Sequence, residues 1–150
     1  KNVVSLQGHS NAITSLCWSP DDTLLASASA DKNVFLWDIY KGTRLKKLKG
    51  HDSIVNSVSI SKKSELLLSA GEDSKLILWD LRTRKEVFSY KHSFQILSAA
   101  VSDHSDQFFF GGIDNMIHCF DKRMDKIEYS LTGHTDSVTG ISLSHDNNFL

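Results

Sequence analysis

Residues 27–38 read SASADKNVFLWD, and residues 69–80 read SAGEDSKLILWD. A unit rewritten at a spacing near 42 residues is one supersecondary module. Such a module buries its apolar faces only by stacking on its neighbours. The frame holds along the chain. Gly8-His9 returns as Gly50-His51, Lys91-His92 and Gly133-His134, in steps of 42, 41 and 42 residues. Asp31, Asp73 and Asp114 each follow their histidine by 22 residues. Trp37-Asp38 and Trp79-Asp80 return as Phe120-Asp121.

Within one period the pattern predicts four short strands. In the first they are AITSLCW (12–18), TLLASAS (23–29), NVFLWD (33–38) and TRLKKLK (43–49). Turn residues separate them: Pro20-Asp21-Asp22, Ala30-Asp31-Lys32 and Tyr40-Lys41-Gly42. No segment sustains a 3.6-residue period, so helices are not expected. Val34 and Leu36 alternate with Phe35 and Trp37, so that strand is apolar on both faces. A strand of this kind must be covered on both faces. Small sheets stacked face to face meet the demand.

The GH step, the aspartate 22 residues later and the closing WD resemble the WD-repeat β-propeller family. The resemblance implies an all-β fold of four-stranded antiparallel blades arranged radially. It implies repeats at 8–49, 50–90, 91–132 and 133–150, the last truncated, with 1–7 as the outer strand of a preceding blade. The whole of 1–150 then forms part of one propeller domain, about half of a seven-bladed ring. The chain begins at Lys1 and stops in the apolar pair Phe149-Leu150, so both ends read as cuts.

Each full repeat carries a serine, a histidine and an aspartate: His9, Ser27 and Asp31, then His51, Ser69 and Asp73. Such a trio suggests nucleophilic catalysis. But it recurs with the repeat, whereas an active site is normally built once. The fourth recurring member is Trp37 or Trp79, whose indole N–H needs an acceptor when buried. The family resemblance implies a structural tetrad running from indole to hydroxyl to imidazole to carboxylate. The chain is therefore expected to be non-catalytic. In the third repeat Phe110 stands at the serine position and Phe120 at the tryptophan position, so that tetrad cannot close in the same way. Phe108 and Phe110 are expected to replace it by apolar packing.

Composition excludes further classes. Seventeen basic residues balance 18 acidic ones, unlike a strongly basic nucleic-acid binder. No apolar run reaches the roughly 18 residues of a membrane span, and no signal-peptide pattern opens the chain. Cys17 and Cys119 lie far apart and read as buried thiols in a reducing compartment. His104, His118 and His145 fall outside the repeat frame and read as polar surface or edge positions. No metal and no cofactor is expected. Gly111-Gly112 lacks the lysine and helix of a phosphate loop. The stretch 41–49, with Lys41, Arg44, Lys46, Lys47 and Lys49, reads as an outer strand whose lysines block edge pairing. Contact with phosphates or an acidic partner is the alternative.

Partners in this family commonly dock three and five residues after the repeat histidine and one before the repeat aspartate. The resemblance places Ile54, Asn56, Glu72, Gln95, Leu97 and Ile113 there, with Ala12, Thr14, Ala30, Ser137 and Thr139 at the flanking repeats. GGIDN (111–115), GHTDSVTGISLS (133–144) and LKGHDSIVNS (48–57) resemble the spliceosomal branch of the family, found in the U5 small nuclear ribonucleoprotein. That implies a nuclear scaffold for pre-mRNA splicing, held among the proteins of a large ribonucleoprotein complex. RNA is met indirectly if at all, and neither a membrane nor a small-molecule substrate is involved. The other reading is a substrate receptor of a cullin ubiquitin ligase. Trp79-Asp80-Leu81-Arg82 fits the WDxR motif of those receptors, with Arg82 as the contact and Arg123 in a degenerate second copy.

Overall fold

The computed structural model describes residues 5–63, 65–103 and 106–144. Among these described residues, twelve strands form three four-stranded antiparallel sheets, each a simple meander. Blade one holds β1 (Ile13–Trp18), β2 (Leu24–Ser29), β3 (Asn33–Asp38) and β4 (Thr43–Lys49). Blade two holds β5 (Val55–Ile60), β6 (Leu66–Gly71), β7 (Lys75–Asp80) and β8 (Lys85–Lys91). Blade three holds β9 (Ile96–Val101), β10 (Gln107–Gly112), β11 (Ile117–Asp121) and β12 (Lys126–Leu131). The strands expected from the first repeat fall within one residue of β1 to β4. Of the expected outer strand at 1–7, residues 1–4 lie outside the described residues, and 5–7 are not in a strand.

The doubly apolar strands are explained by the stacking. Val34 and Leu36 face blade two and share a core with Val58, Ile60, Leu67, Ile77 and Trp79. Phe35 and Trp37 face the other way, with Leu25 and Leu6. In blade two, Leu76 and Leu78 turn to blade three and meet Phe108, Phe110 and Phe120. Every blade face between two sheets is thus a hydrophobic core. Val55, Val58 and Ile60 are buried, while their counterparts Ile13, Leu16 and Trp18 on blade one are each about half exposed. Among the described residues no sheet precedes blade one.

The inner strands β1, β5 and β9 lie side by side and are joined by side-chain bonds to backbone. Ser15 Oγ accepts from Val58 N at 3.4 Å, Ser57 Oγ from Ala99 N at 3.2 Å, and Ser98 Oγ from Ile141 N at 2.9 Å. Each serine sits at or just after the register shift of its inner strand, where the bulge aims it at the next blade. The third of these bonds, with Val138 N donating to Gly112 O at 2.9 Å, seats residues 138–141 beside β9 and the end of β10.

Candidate functional site

At one end of each blade the segment entering the inner strand meets the turn between the second and third strands. The repeat histidine comes from the segment and the repeat aspartate from the turn. In blade one Trp37 Nε1 donates to Ser27 Oγ at 2.8 Å, Ser27 meets His9 Nε2 at 2.7 Å, and His9 Nδ1 meets Asp31 Oδ2 at 2.8 Å. In blade two the corresponding bonds of Trp79, Ser69, His51 and Asp73 are 2.9, 2.8 and 3.0 Å. The tautomers follow from the network. Nδ1–H donates to the carboxylate, so the hydroxyl donates to Nε2 and accepts from the indole. Both serines are essentially inaccessible, at 1% and 0% exposure, where no substrate reaches their hydroxyls.

Each aspartate also builds its own turn. Asp31 Oδ1 accepts from Asn33 N at 3.1 Å and Asp73 Oδ1 from Lys75 N at 3.2 Å. The residue between, Lys32 or Ser74, sits at φ of 71° or 64°. The side chain thereby stabilises a left-handed turn without glycine. Burial pushes the Asp31 carboxyl up, but the bonds from His9, Asn33 and the Ser10 amide outweigh it and bring its pKa to about 2. Asp73 is lowered in the same way, burial being outweighed by His51 and the amides of Asp52 and Lys75. A carboxylate depressed on folding stabilises fully above its unfolded pKa of about 3.9, and the contribution is lost as pH falls towards the folded value. In an acid denaturation followed by fluorescence, the Asp31 contribution should therefore be fully present down to about pH 4. It should then be lost between that point and about pH 2, and the Asp31→Asn variant should lack this part of the profile while the Asp73 part remains.

Blade three departs from the sequence expectation. His118 is not a surface or edge residue but is buried beside His92, with ring centroids 4.8 Å apart. It occupies the position of Phe35 in blade one and Ile77 in blade two, two residues before the closing aromatic. His118 Nε2 bonds Asp114 Oδ2 at 2.6 Å and its Nδ1 bonds Ser130 Oγ at 2.7 Å. With Phe110 offering no hydroxyl, the His92 ring presents Nε2, not Nδ1, to Asp114 Oδ2 at 3.3 Å. The lost tetrad is thus replaced by a second polar network and not by apolar packing alone. Phe108 and Phe120 do stack, at 6.1 Å and 7°. Burial pushes the Asp114 carboxyl up, and the bonds from His118 and His92 bring it below its ordinary range. Two signals point to His118: a histidine at a frame position otherwise apolar, and its spacing of four from the repeat aspartate. His104 and His145 lie outside the described residues.

The other candidate residues divide. Asn56 Nδ2 donates to Ile96 O at 2.9 Å, and Thr14 Oγ1 bonds Val55 O, so both bind the next blade's backbone. Glu72 accepts from Ser53 Oγ at 3.4 Å. Ile54 and Leu97 are half-buried, whereas Gln95 is exposed and Ile113 is 46% exposed. Phe94, which the repeat frame does not single out, is exposed at the same end of blade three, as is Met116. Arg82 is exposed on the opposite rim, 3.6 Å from Glu65, and Arg123 pairs with Asp121 at 3.3 Å. On β4, Arg44 lies over the Phe35 ring at 4.7 Å. Lys46, Lys47 and Lys49 line the same exposed edge. Both cysteines are free; Cys119 is buried and Cys17 half-buried.

The description "WD domain, G-beta repeat" matches residues 1–38, 42–80 and 125–150. The unmatched stretch contains Phe110, His118 and Phe120, where blade three changes its network. The chain is 33% identical over 135 residues to the U5 small nuclear ribonucleoprotein 40 kDa protein of Dictyostelium discoideum, covering 89% of this chain and 38% of that protein. It is 33% identical over 140 residues to the pre-mRNA-splicing factor cwf17 of Schizosaccharomyces pombe, covering 93% of this chain and 41% of the relative. The chain thus spans about two fifths of the length of these relatives. A solved structure of U3-55K superposes with a TM-score of 0.82 at 23% identity, over 88% of this chain and 42% of that one. Repeat frame, meandering blades and matched residues agree: the chain belongs to the WD domain, G-beta repeat family and forms part of a β-propeller.

Proposed function

We propose that the chain is part of a non-catalytic scaffold of the U5 small nuclear ribonucleoprotein, acting in pre-mRNA splicing in the nucleus. The observation that carries the reading is the likeness to two splicing proteins along nearly the whole of this chain. The architecture is consistent with it. Both described Ser-His-Asp sets hold a blade together, which favours surfaces as the means of action. The docking surface is the end of the blades that carries Gln95, Leu97 and Ile113, with Ile54 and Glu72 beside them. Exposed Phe94, Ile113 and Met116 give it apolar anchors. Asn56 contributes by fixing the spacing between blades.

The test is affinity purification of the complete tagged protein from nuclear extract, with mass spectrometry and RNA analysis of what is retained. Salt-stable recovery of U5 snRNA with its core proteins is expected. The Ile113→Asp variant should lose those proteins while keeping its melting temperature. Recovery of a cullin and its adaptor instead, abolished by Arg82→Ala, would replace the reading with that of a ubiquitin-ligase receptor.

A further inference from the structure

We propose that His92, Asp114 and His118 form a binding site for a divalent transition metal of the zinc class on blade three. One ligand atom from each of His92, Asp114 and His118 lies within 4.8 Å of the other two. Both imidazoles present Nε2 to the same carboxylate oxygen, at 3.3 and 2.6 Å. A tetrahedral zinc with bonds of about 2.0–2.2 Å holds its ligand atoms about 3.3 Å apart. Shifts of about 1.5 Å at most bring the ligand atoms to that spacing.

The site has the other features a metal centre needs. Two neutral imidazoles and one carboxylate are a common donor set for zinc, and also for non-haem iron(II). The three side chains are 8–11% exposed, so an ion can enter, yet desolvation is nearly complete. The Phe110 ring walls one side, 5.2 Å from His92 and 5.1 Å from His118. Ser130 Oγ holds His118 Nδ1 at 2.7 Å. Without metal, His118 Nε2–H donates to Asp114 and Nδ1 accepts from the Ser130 hydroxyl. On binding, the ring proton moves to Nδ1, which then donates to Ser130 Oγ, and the Nε2 lone pair faces the ion. Ser130 is thus a positioning residue of the kind metal-bound histidines use. The three protein ligands leave a fourth position for water or for a ligand from a docked partner. Blades one and two cannot build this site, because Phe35 and Ile77 stand where blade three has His118.

The experiment uses the complete protein, stripped with chelator and titrated calorimetrically with Zn2+, and in parallel with Co2+ followed by visible absorption. One equivalent should bind at this site, with the intense absorption of four-coordinate Co2+ and no thiolate charge-transfer band from Cys17 or Cys119. His118→Phe places in blade three what blade one already packs against its histidine, so it should fold. It is expected to weaken Zn2+ binding by at least about 100-fold, and Ser130→Ala by about 10–100-fold. Asp114→Asn keeps the shape and should abolish the Co2+ spectrum, whereas substitution of exposed His134 should change nothing. Absence of Zn2+ binding by the unmodified protein, or equal binding by the correctly folded His118→Phe variant, overturns the proposal.

Discussion

Phe110→Ser is expected to destabilise the protein by about 3–5 kcal/mol, the usual cost of deleting a fully buried phenyl ring, even though it restores the serine that the other two repeats carry. Phe110 is 1% exposed and packs with Leu76, Leu78, Phe108 and Phe120 between blades two and three. A serine there leaves a cavity. Its hydroxyl also finds no partners of the kind Ser27 and Ser69 have. Phe120 offers no indole N–H, and the His92 Nε2 that would meet the hydroxyl is already turned to Asp114. Urea denaturation of the complete protein measures the loss. A stability equal to or above that of the unmodified protein would mean that blade three can rebuild the tetrad around a lone serine, which its present geometry opposes.

That asymmetry between repeats also explains which parts of the molecule could be read from sequence. Strand positions were legible because each is bounded by a turn whose residues are chosen for backbone reasons, as with Asp31 and Lys32 or Asp73 and Ser74. The tetrads were legible because four polar residues recur at fixed offsets. Blade three was half legible. The substitutions at Phe110 and Phe120 are plain in the sequence, but the response to them is not, since it depends on which ring nitrogen His92 turns inward. Nor does sequence show that Ser130, on an outer strand, reaches His118 across the sheet. The inner-strand residues show a different limit. Asn56 and Leu97 occupy the same frame position, yet Asn56 bonds the next blade's backbone and Leu97 has no polar atom with which to do so. An offset from a motif fixes where a Cα lies, not what the side chain does there.

Ser69→Ala is expected to cost about 2–6 kcal/mol, because one deleted oxygen strands two buried groups at about 1–3 kcal/mol each. Trp79 Nε1 loses its acceptor and His51 Nε2 its donor, and both side chains lie between blades one and two, away from water. Ile77 O lies 3.3 Å from the same hydroxyl, a weaker contact that can only share the one proton given to His51 Nε2. Placing Trp79→Phe in the Ser69→Ala background separates these terms. With the indole N–H gone, only the imidazole remains unpaired, so the double variant should lose less than the two single losses added together. A coupling of about 0.5–3 kcal/mol is the range for directly bonded partners. Strict additivity would mean that the indole finds another acceptor and that the tetrad is a set of neighbours, not a connected chain. Blade three argues against that. There a phenylalanine already stands at both positions, and the histidine left without a hydroxyl has turned its ring to bond the carboxylate through its other nitrogen. A group so rearranged when its partner is lost was held by that partner in the blades that keep it.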